Sequence, residues 1–373
     1  MTPRAAYVHV PFCRHRCGYC NFSVVAGRDD LTEAFLEALA RELSELGTPR
    51  EVDTLFIGGG TPTHLKSPSL VRLLEIVKYW FPTASGSEWT VEANPVDLSQ
   101  ETAEILAAYG VTRVSLGVQS FEDRKLALLE RDHRSREVRH AFDTARHHIS
   151  SVSIDLIFGV PGETLVEWTR DLSQAIALGP DHLSTYSLTF ERGTQFWNRR
   201  EKGDLLPIKE DAGGQLYELA IDTLRAAGWE HYEVSSFARP GYRCRHNEVY
   251  WTGGEYFAAG PGAARFINGR RESNHRSTST YLRYLSEGRN PVQESELLDD
   301  EMLARERLVF GLRRLEGVAL TRFQQDTGYT VQQLAGESVR RFLDMQLLEE
   351  TETHLRLTRR GLLVSDSLWP DLI

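Results

Sequence analysis

Short apolar runs alternate with amphipathic stretches through the first 228 residues. Residues 5–10, 52–57, 89–93, 113–119, 152–158 and 182–188 are apolar, and each is bounded by turn-forming residues, as expected of strands. Between them apolar side chains recur at helical spacing. Leu31, Phe35, Leu39 and Leu43 predict a helix over about 31–46, and Leu70, Leu73, Leu74 and Val77 one that starts at Ser67-Pro68 and runs to about Trp80. Further helices are expected over 99–109, from about Asp123 and Arg136, up to about Ala177, and over about 209–227. Asp30 with Glu33 fits a capping box, and Gly47 and Gly110 are helix stops. Strand–helix alternation of this kind predicts an α/β fold with a parallel sheet. Six such units would curl into a partial TIM-type (β/α)6 barrel, with functional groups at the carboxyl ends of its strands.

After Gly228 the pattern changes. Residues 229–296 are rich in glycine and aromatics, and Asn268-Gly269 marks a tight hairpin. From 297 the spacing predicts helices over 301–315, 320–328 and 331–346, then a hairpin-like stretch over 348–357. Three parts are therefore expected: a core over 1–228, an extension of it over 229–296, and a small, mainly helical, winged-helix-like domain over 297–373.

Composition narrows the function classes. A formal net charge of -10 argues against a nucleic-acid partner held by bulk electrostatics. The winged-helix-like part is itself acidic, with ten arginines and no lysine against thirteen acidic residues over 297–373. It is expected to pack against its own core or a protein partner. No apolar run is long enough for a bilayer, and no targeting segment is expected before the first strand, so a cytoplasmic protein is anticipated.

The chemistry starts at Cys13, Cys17 and Cys20, spaced C-x-x-x-C-x-x-C directly after the first strand. Three thiolates are one short of a closed structural zinc site, which would need His15 or Cys244 as well. They suit a 4Fe-4S cubane with one iron left open. Gly58-Gly59-Gly60-Thr61 follows the second strand, and consecutive glycines there point to a close approach of backbone to ligand. Glu92 stands late on the third strand, and Asp155 sits inside an apolar one, where it needs a partner. His246-Asn-Glu-Val-Tyr250-Trp251 is the other distinctive run: a lone histidine in a loop is more often a surface residue than a ligand, and Cys244, two residues earlier, is either a thiolate ligand or an inert buried thiol.

The run Tyr7-x-His9-x-Pro11-Phe12-Cys13, with the three cysteines, resembles the radical S-adenosylmethionine (SAM) superfamily. It is most similar to the branch of oxygen-independent coproporphyrinogen III oxidase and the heme chaperone HemW family. The resemblance implies an open iron chelated by the amino and carboxylate groups of SAM, whose reductive cleavage gives a 5'-deoxyadenosyl radical. It implies SAM contacts at Tyr7, Tyr19, Gly59, Gly60, Thr61, Glu92, Gln119, Arg131 and Asp155, and heme binding at His246. The extension would then be heme-binding, and the last domain of the type found at the C-terminus of that oxidase family. Three features separate the two branches: Phe22 stands where the oxidase has a fourth cysteine, only six residues precede Tyr7, and the H-N-x-x-Y-W run is present. All three favour a heme chaperone that binds a 4Fe-4S cluster, SAM and heme and passes heme to acceptor hemoproteins. Membrane respiratory enzymes are the expected acceptors, which would place the protein peripherally at the membrane. The alternative is an oxidase-type radical SAM enzyme of porphyrin biosynthesis. One departure is Ala263-Ala264, where relatives often have Ala-His. Whether SAM is cleaved in turnover, and whether the protein is a monomer or a dimer, stay open.

Overall fold

The computed structural model describes residues 2–373. Nine strands form one sheet: β1 (Ala5–Val10), β2 (Val52–Gly59), β3 (Thr83–Ala93), β4 (Arg113–Gln119), β5 (Ser151–Phe158), β6 (His182–Ser187), β7 (Glu230–Glu233), β8 (Ser236–Ala238) and β9 (Phe257–Ala259). Their order is β9-β1-β2-β3-β4-β5-β6-β8-β7. The six expected strands are all present, parallel and neighbours in sequence order. The stretch after Gly228 supplies what the pattern did not reveal. It adds β9 as a further parallel strand beside β1, and β8 and β7 as an antiparallel pair beyond β6.

Helices α1 (Thr32–Ser44), α2 (Ser67–Trp80), α3 (Gln100–Tyr109), α4 (Ser135–His148), α5 (Leu165–Leu178) and α6 (Glu210–Ala226) cover the outer face. Leu55, Ile57, Val91, Val114, Leu116, Val152 and Ile154 meet Leu36, Leu39, Leu73, Leu106, Ala141 and Leu172 there in one buried core. This burial is the main drive for the barrel. Local signals fix the helix ends. Ser99 caps α3 by accepting from the amide of Thr102, and Gly110, at φ +95°, closes it. The expected capping box at the start of α1 does not form. A 3-10 turn over Asp29–Leu31 precedes the helix, and Asp30 pairs with Arg28 instead.

Ala264–Ile267 and Arg270–Asn274 form the hairpin around Asn268-Gly269, both residues at positive φ, joined by Val292–Leu297. The C-terminal part carries helices Asp300–Leu312, Leu320–Thr327 and Val331–Asp344, with a three-stranded antiparallel sheet. Arg359 ties this part to α6 through a two-pronged ion pair with Asp222, at 2.6 and 2.7 Å.

Candidate functional site

Polar residues at alternate positions of the central strands point into the barrel, while their apolar neighbours face the helices. Thr54, Glu88, Thr90, Arg113, Ser115, Ser153, His182 and Ser184 are on the inner side and buried, and Glu92 and Asp155 stand there too, half-buried where the strands meet the cavity. Period two within a strand is what puts them there. They form two levels.

The lower level is closed by α7 (Arg245–Trp251), the short helix of the H-N-x-x-Y-W run. Glu88 accepts from the backbone amides of Arg245 (3.1 Å) and His246 (3.0 Å), neutralising the helix N-terminus. Cys244 lies here, fully buried, with its Sγ 3.4 Å from Arg113 and 3.7 Å from Glu88. The His246 ring is 1% exposed, and both its nitrogens are engaged: Nδ1 with Thr54 at 3.0 Å and Nε2 with the Tyr250 hydroxyl at 2.8 Å. Burial pushes its pKa down to about 3, so the imidazole is neutral.

The upper level opens into a cavity of about 1460 Å³ at the carboxyl ends of the strands. Cys13, Cys17 and Cys20 line it, as do Tyr19, Gly59, Gly60, Thr61, Glu92, Gln119, Arg131 and Asp155. Tyr7 and His246 are not in its wall. Tyr7 reaches the same interior from below, its hydroxyl 3.0 Å from His9 Nδ1 and its ring against Phe56.

The three thiols share one face of the cavity, but among the described residues no three His, Cys, Asp or Glu side chains converge on a point suited to a single ion. Thr61 donates to Cys13 Sγ at 3.7 Å, and Arg131 approaches Cys17 Sγ at 3.6 Å. Burial pushes the Cys13 thiol up to about 12 and raises that of Cys20, so a metal bound there would have to displace their protons. Cys244, at the opposite end of the barrel, is out of reach as a fourth ligand.

Glu92 is half-buried in the cavity wall, and its Oε2 accepts from the amide of Gly59 at 2.9 Å. Burial pushes its pKa up to about 7; the Gly59 hydrogen bond opposes the rise, and neighbouring Asp155 adds to it. Asp155 has the partner that an apolar strand demands: Ser115 donates to it at 3.3 Å. The glycine run has a packing reason beyond any ligand. A Cβ on Gly58 would press on the Glu92 carboxylate, one on Gly59 would overlap the His9 ring, and one on Gly60 the Phe12 carbonyl. Gln119 ends β4 at φ +63°, after a register shift between Leu116 and Gln119. A non-glycine residue in that conformation is strained, as is common where a side chain is aimed at a ligand.

Two anchors of the cysteine loop were not visible in the sequence. Arg14 pairs at 2.8 Å with Asp97, whose carboxylate is almost wholly buried. Gly18 docks on Phe196, whose amide donates to the Gly18 carbonyl at 2.9 Å. Phe196 belongs to a second apolar cluster, with Leu129, Ile157 and Leu188, that underlies Tyr19. Arg14 lies inside a recognised motif, but its partner is 83 positions away.

Residues 7–175 match the family model of the radical SAM superfamily, and residues 298–364 that of the HemN C-terminal domain. The chain is 34% identical over 372 residues to the heme chaperone HemW of Bacillus subtilis, covering 98% of each. To the heme chaperone HemW of Escherichia coli it is 36% identical over 339 residues, covering 87% of this chain and 88% of that one. Among solved structures, the radical SAM enzyme coproporphyrinogen III oxidase (HemN) of Escherichia coli superposes with a TM-score of 0.86 at 22% identity, over 99% of this chain and 90% of that one. That likeness shows the fold.

Proposed function

The chain belongs to the heme chaperone HemW family of the radical SAM superfamily, and from that premise we propose that it is a heme chaperone: it holds a 4Fe-4S cluster, SAM and heme, and hands heme to acceptor hemoproteins. The observation that carries the cofactor part is the convergence of three thiols and the inner polar ladder on one cavity. Cys13, Cys17 and Cys20 would hold the cluster, each thiolate on one of its irons. Bound there, the cluster would offer an open iron to SAM and an electron for its cleavage.

The residues around that position supply the rest. Arg131 balances negative charge at Cys17. Glu92, held by Gly59, offers a carboxylate to an ammonium group or ribose hydroxyls. Gly59, Gly60 and Thr61 present backbone at the cavity wall, while Gln119, Asp155 and Tyr19 face it from the other strands. Tyr7 would act from beneath through the barrel interior.

For heme, α7 is the proposed element. Tyr250 and Trp251 line an apolar groove of about 280 Å³, with Tyr256, Phe266 and Phe310, and it suits the face of a flat macrocycle. His246 would hold the heme iron, which would require the buried ring to give up its hydrogen bond to Thr54 or to Tyr250. Heme-accepting respiratory proteins are the proposed recipients. Among the described residues, no helix is long and apolar enough to cross a membrane.

The test is anaerobic reconstitution followed by two assays. With SAM, reductant and coproporphyrinogen III, no protoporphyrinogen IX is expected; its accumulation would overturn the chaperone reading in favour of the oxidase. In a heme titration, His246→Ala is expected to shift the Soret band, and an unchanged band removes His246 as ligand. Cys17→Ser is expected to lose the brown absorption and inorganic sulfide while staying soluble.

A further inference from the structure

Three charged side chains meet in the outer wall of the barrel with almost no access to water. Lys125 Nζ lies 2.5 Å from Glu163 Oε1 and 3.0 Å from Asp171 Oδ2, and the three side chains are 3%, 1% and 0% exposed. The ammonium also sits 4.7 Å from the centre of the Trp168 ring. One cation between two carboxylates leaves a net negative charge buried, which is costly unless further donors complete it.

Those donors come from two turns. Asp171 Oδ1 accepts from the amide of Phe121 at 2.7 Å, and Asp171 Oδ2 from the Ser120 hydroxyl at 2.8 Å. Glu163 Oε2 accepts from the amides of Gly159 at 2.6 Å and Val160 at 3.2 Å. The first turn leaves β4 directly after Gln119, the residue held at φ +63°. The second leaves β5 at Gly159, itself in the cavity wall and at φ +81°. Lys125 therefore joins, through two carboxylates, the two turns that follow adjacent strands at the cavity mouth. None of the three side chains lines the cavity.

A buried ionic group is weak evidence for stability and is better explained by what it specifies. We propose that Lys125 is a positioning residue: with Glu163 and Asp171 it locks the turns after β4 and β5 in register with each other, and so presents Gln119 and Gly159 to SAM. The lock reinforces strand pairing at this point, where the β4–β5 register slips after Leu116 before Gln119 pairs with Leu156. The assignment of SAM as the ligand rests on the function proposed above, whereas the lock itself does not.

The experiment compares wild type, Lys125→Met and Glu163→Gln, with Tyr232→Phe as a control: Tyr232 is a buried residue of β7 whose hydroxyl bonds His182 and the Cys244 amide in the lower level of the barrel. Glu163→Gln keeps the side chain's size and an acceptor, and serves if Lys125→Met fails to fold. Amide hydrogen exchange at Phe121 and Gly159 reads the lock without any cofactor. Equilibrium dialysis of SAM against the reconstituted protein reads its consequence, and melting temperature is recorded for all. The lock variants are expected to accelerate exchange at both amides and to weaken SAM binding about 10- to 100-fold, the range found when supporting residues around a bound group are removed. Tyr232→Phe is expected to lower the melting temperature with SAM affinity unchanged. Unchanged exchange in the lock variants would overturn the lock. Faster exchange with unchanged SAM affinity, or an equal loss of affinity in Tyr232→Phe, would overturn the positioning role. If wild type binds no SAM, the cofactor reading fails, and exchange alone still decides whether the lock exists.

Discussion

Glu92 is a carboxylate in a place that solvates charge poorly, with one backbone amide in its favour and Asp155 against it. Its folded-state pKa is raised to about 7, so the folded chain holds a proton that the unfolded chain releases at ordinary carboxyl values. The sign follows: Glu92 contributes stability below its unfolded value, and that contribution is lost as pH rises toward about 7. A cationic ligand reverses the preference, because it pairs with the ionised form. SAM affinity is therefore expected to rise between about pH 6 and about pH 8, and Glu92→Gln to flatten the profile. The check is equilibrium dialysis across that range, in which a flat wild-type profile would remove Glu92 as the partner of a cation. The position of Glu92 was legible in the sequence. Its titration was not, since that depends on Gly59 and Asp155, which come from other strands.

Among the elements, α7 is one that cannot stand alone. Seven residues are too few to hold a helix in water, so its stability comes from what it touches. Glu88, on β3, takes its first amides, while Thr54, on β2, meets the ring of His246. Glu88→Gln keeps one acceptor but removes the charge, and is expected to cost about 1.5–3 kcal/mol, the worth of charged hydrogen bonds to a buried group. Urea unfolding measures the loss, and a change within about 0.5 kcal/mol would show that α7 is held by its apolar side alone. The sequence singled out this run for its residue types and its resemblance, with His246 expected as a heme ligand. The structure makes it the floor of the barrel. The reason is tertiary: Glu88 and Arg113 point inward by strand alternation and recruit a segment with matching backbone and sulfur groups.

At the scale of the molecule, the C-terminal part shapes the cavity as well as packing beside it. Residues 362–367 form part of the cavity wall, opposite the strand ends. Contacts of different physical kinds hold that segment, among them one ion pair and one apolar side chain. The Arg359–Asp222 ion pair is about half exposed and is worth under about 1 kcal/mol, less at high salt. Leu362 is buried in the main core. Arg359→Ala is thus expected to shift the urea midpoint slightly, and only at low salt, whereas Leu362→Ala is expected to cost about 2–5 kcal/mol at any salt. If the arginine variant proves the more damaging, charge rather than apolar burial holds the segment, and the order of the two contacts is reversed.

Much of this was written along the chain. Six apolar runs with helical spacing between them specify a parallel βα sheet, because each pattern can bury its apolar face in one way only. Three cysteines within eight positions and a glycine run after the second strand specify where chemistry gathers, since both are local. What the chain could not show are the relations between distant positions: β9 completing the edge beside β1, Phe196 and Asp97 anchoring the cysteine loop, Lys125 joining two turns, and His246 turned into the barrel floor. Each depends on which groups become neighbours once the sheet has curled, and the free energy that selects them, desolvation offset by partners, exists only in the assembled interior.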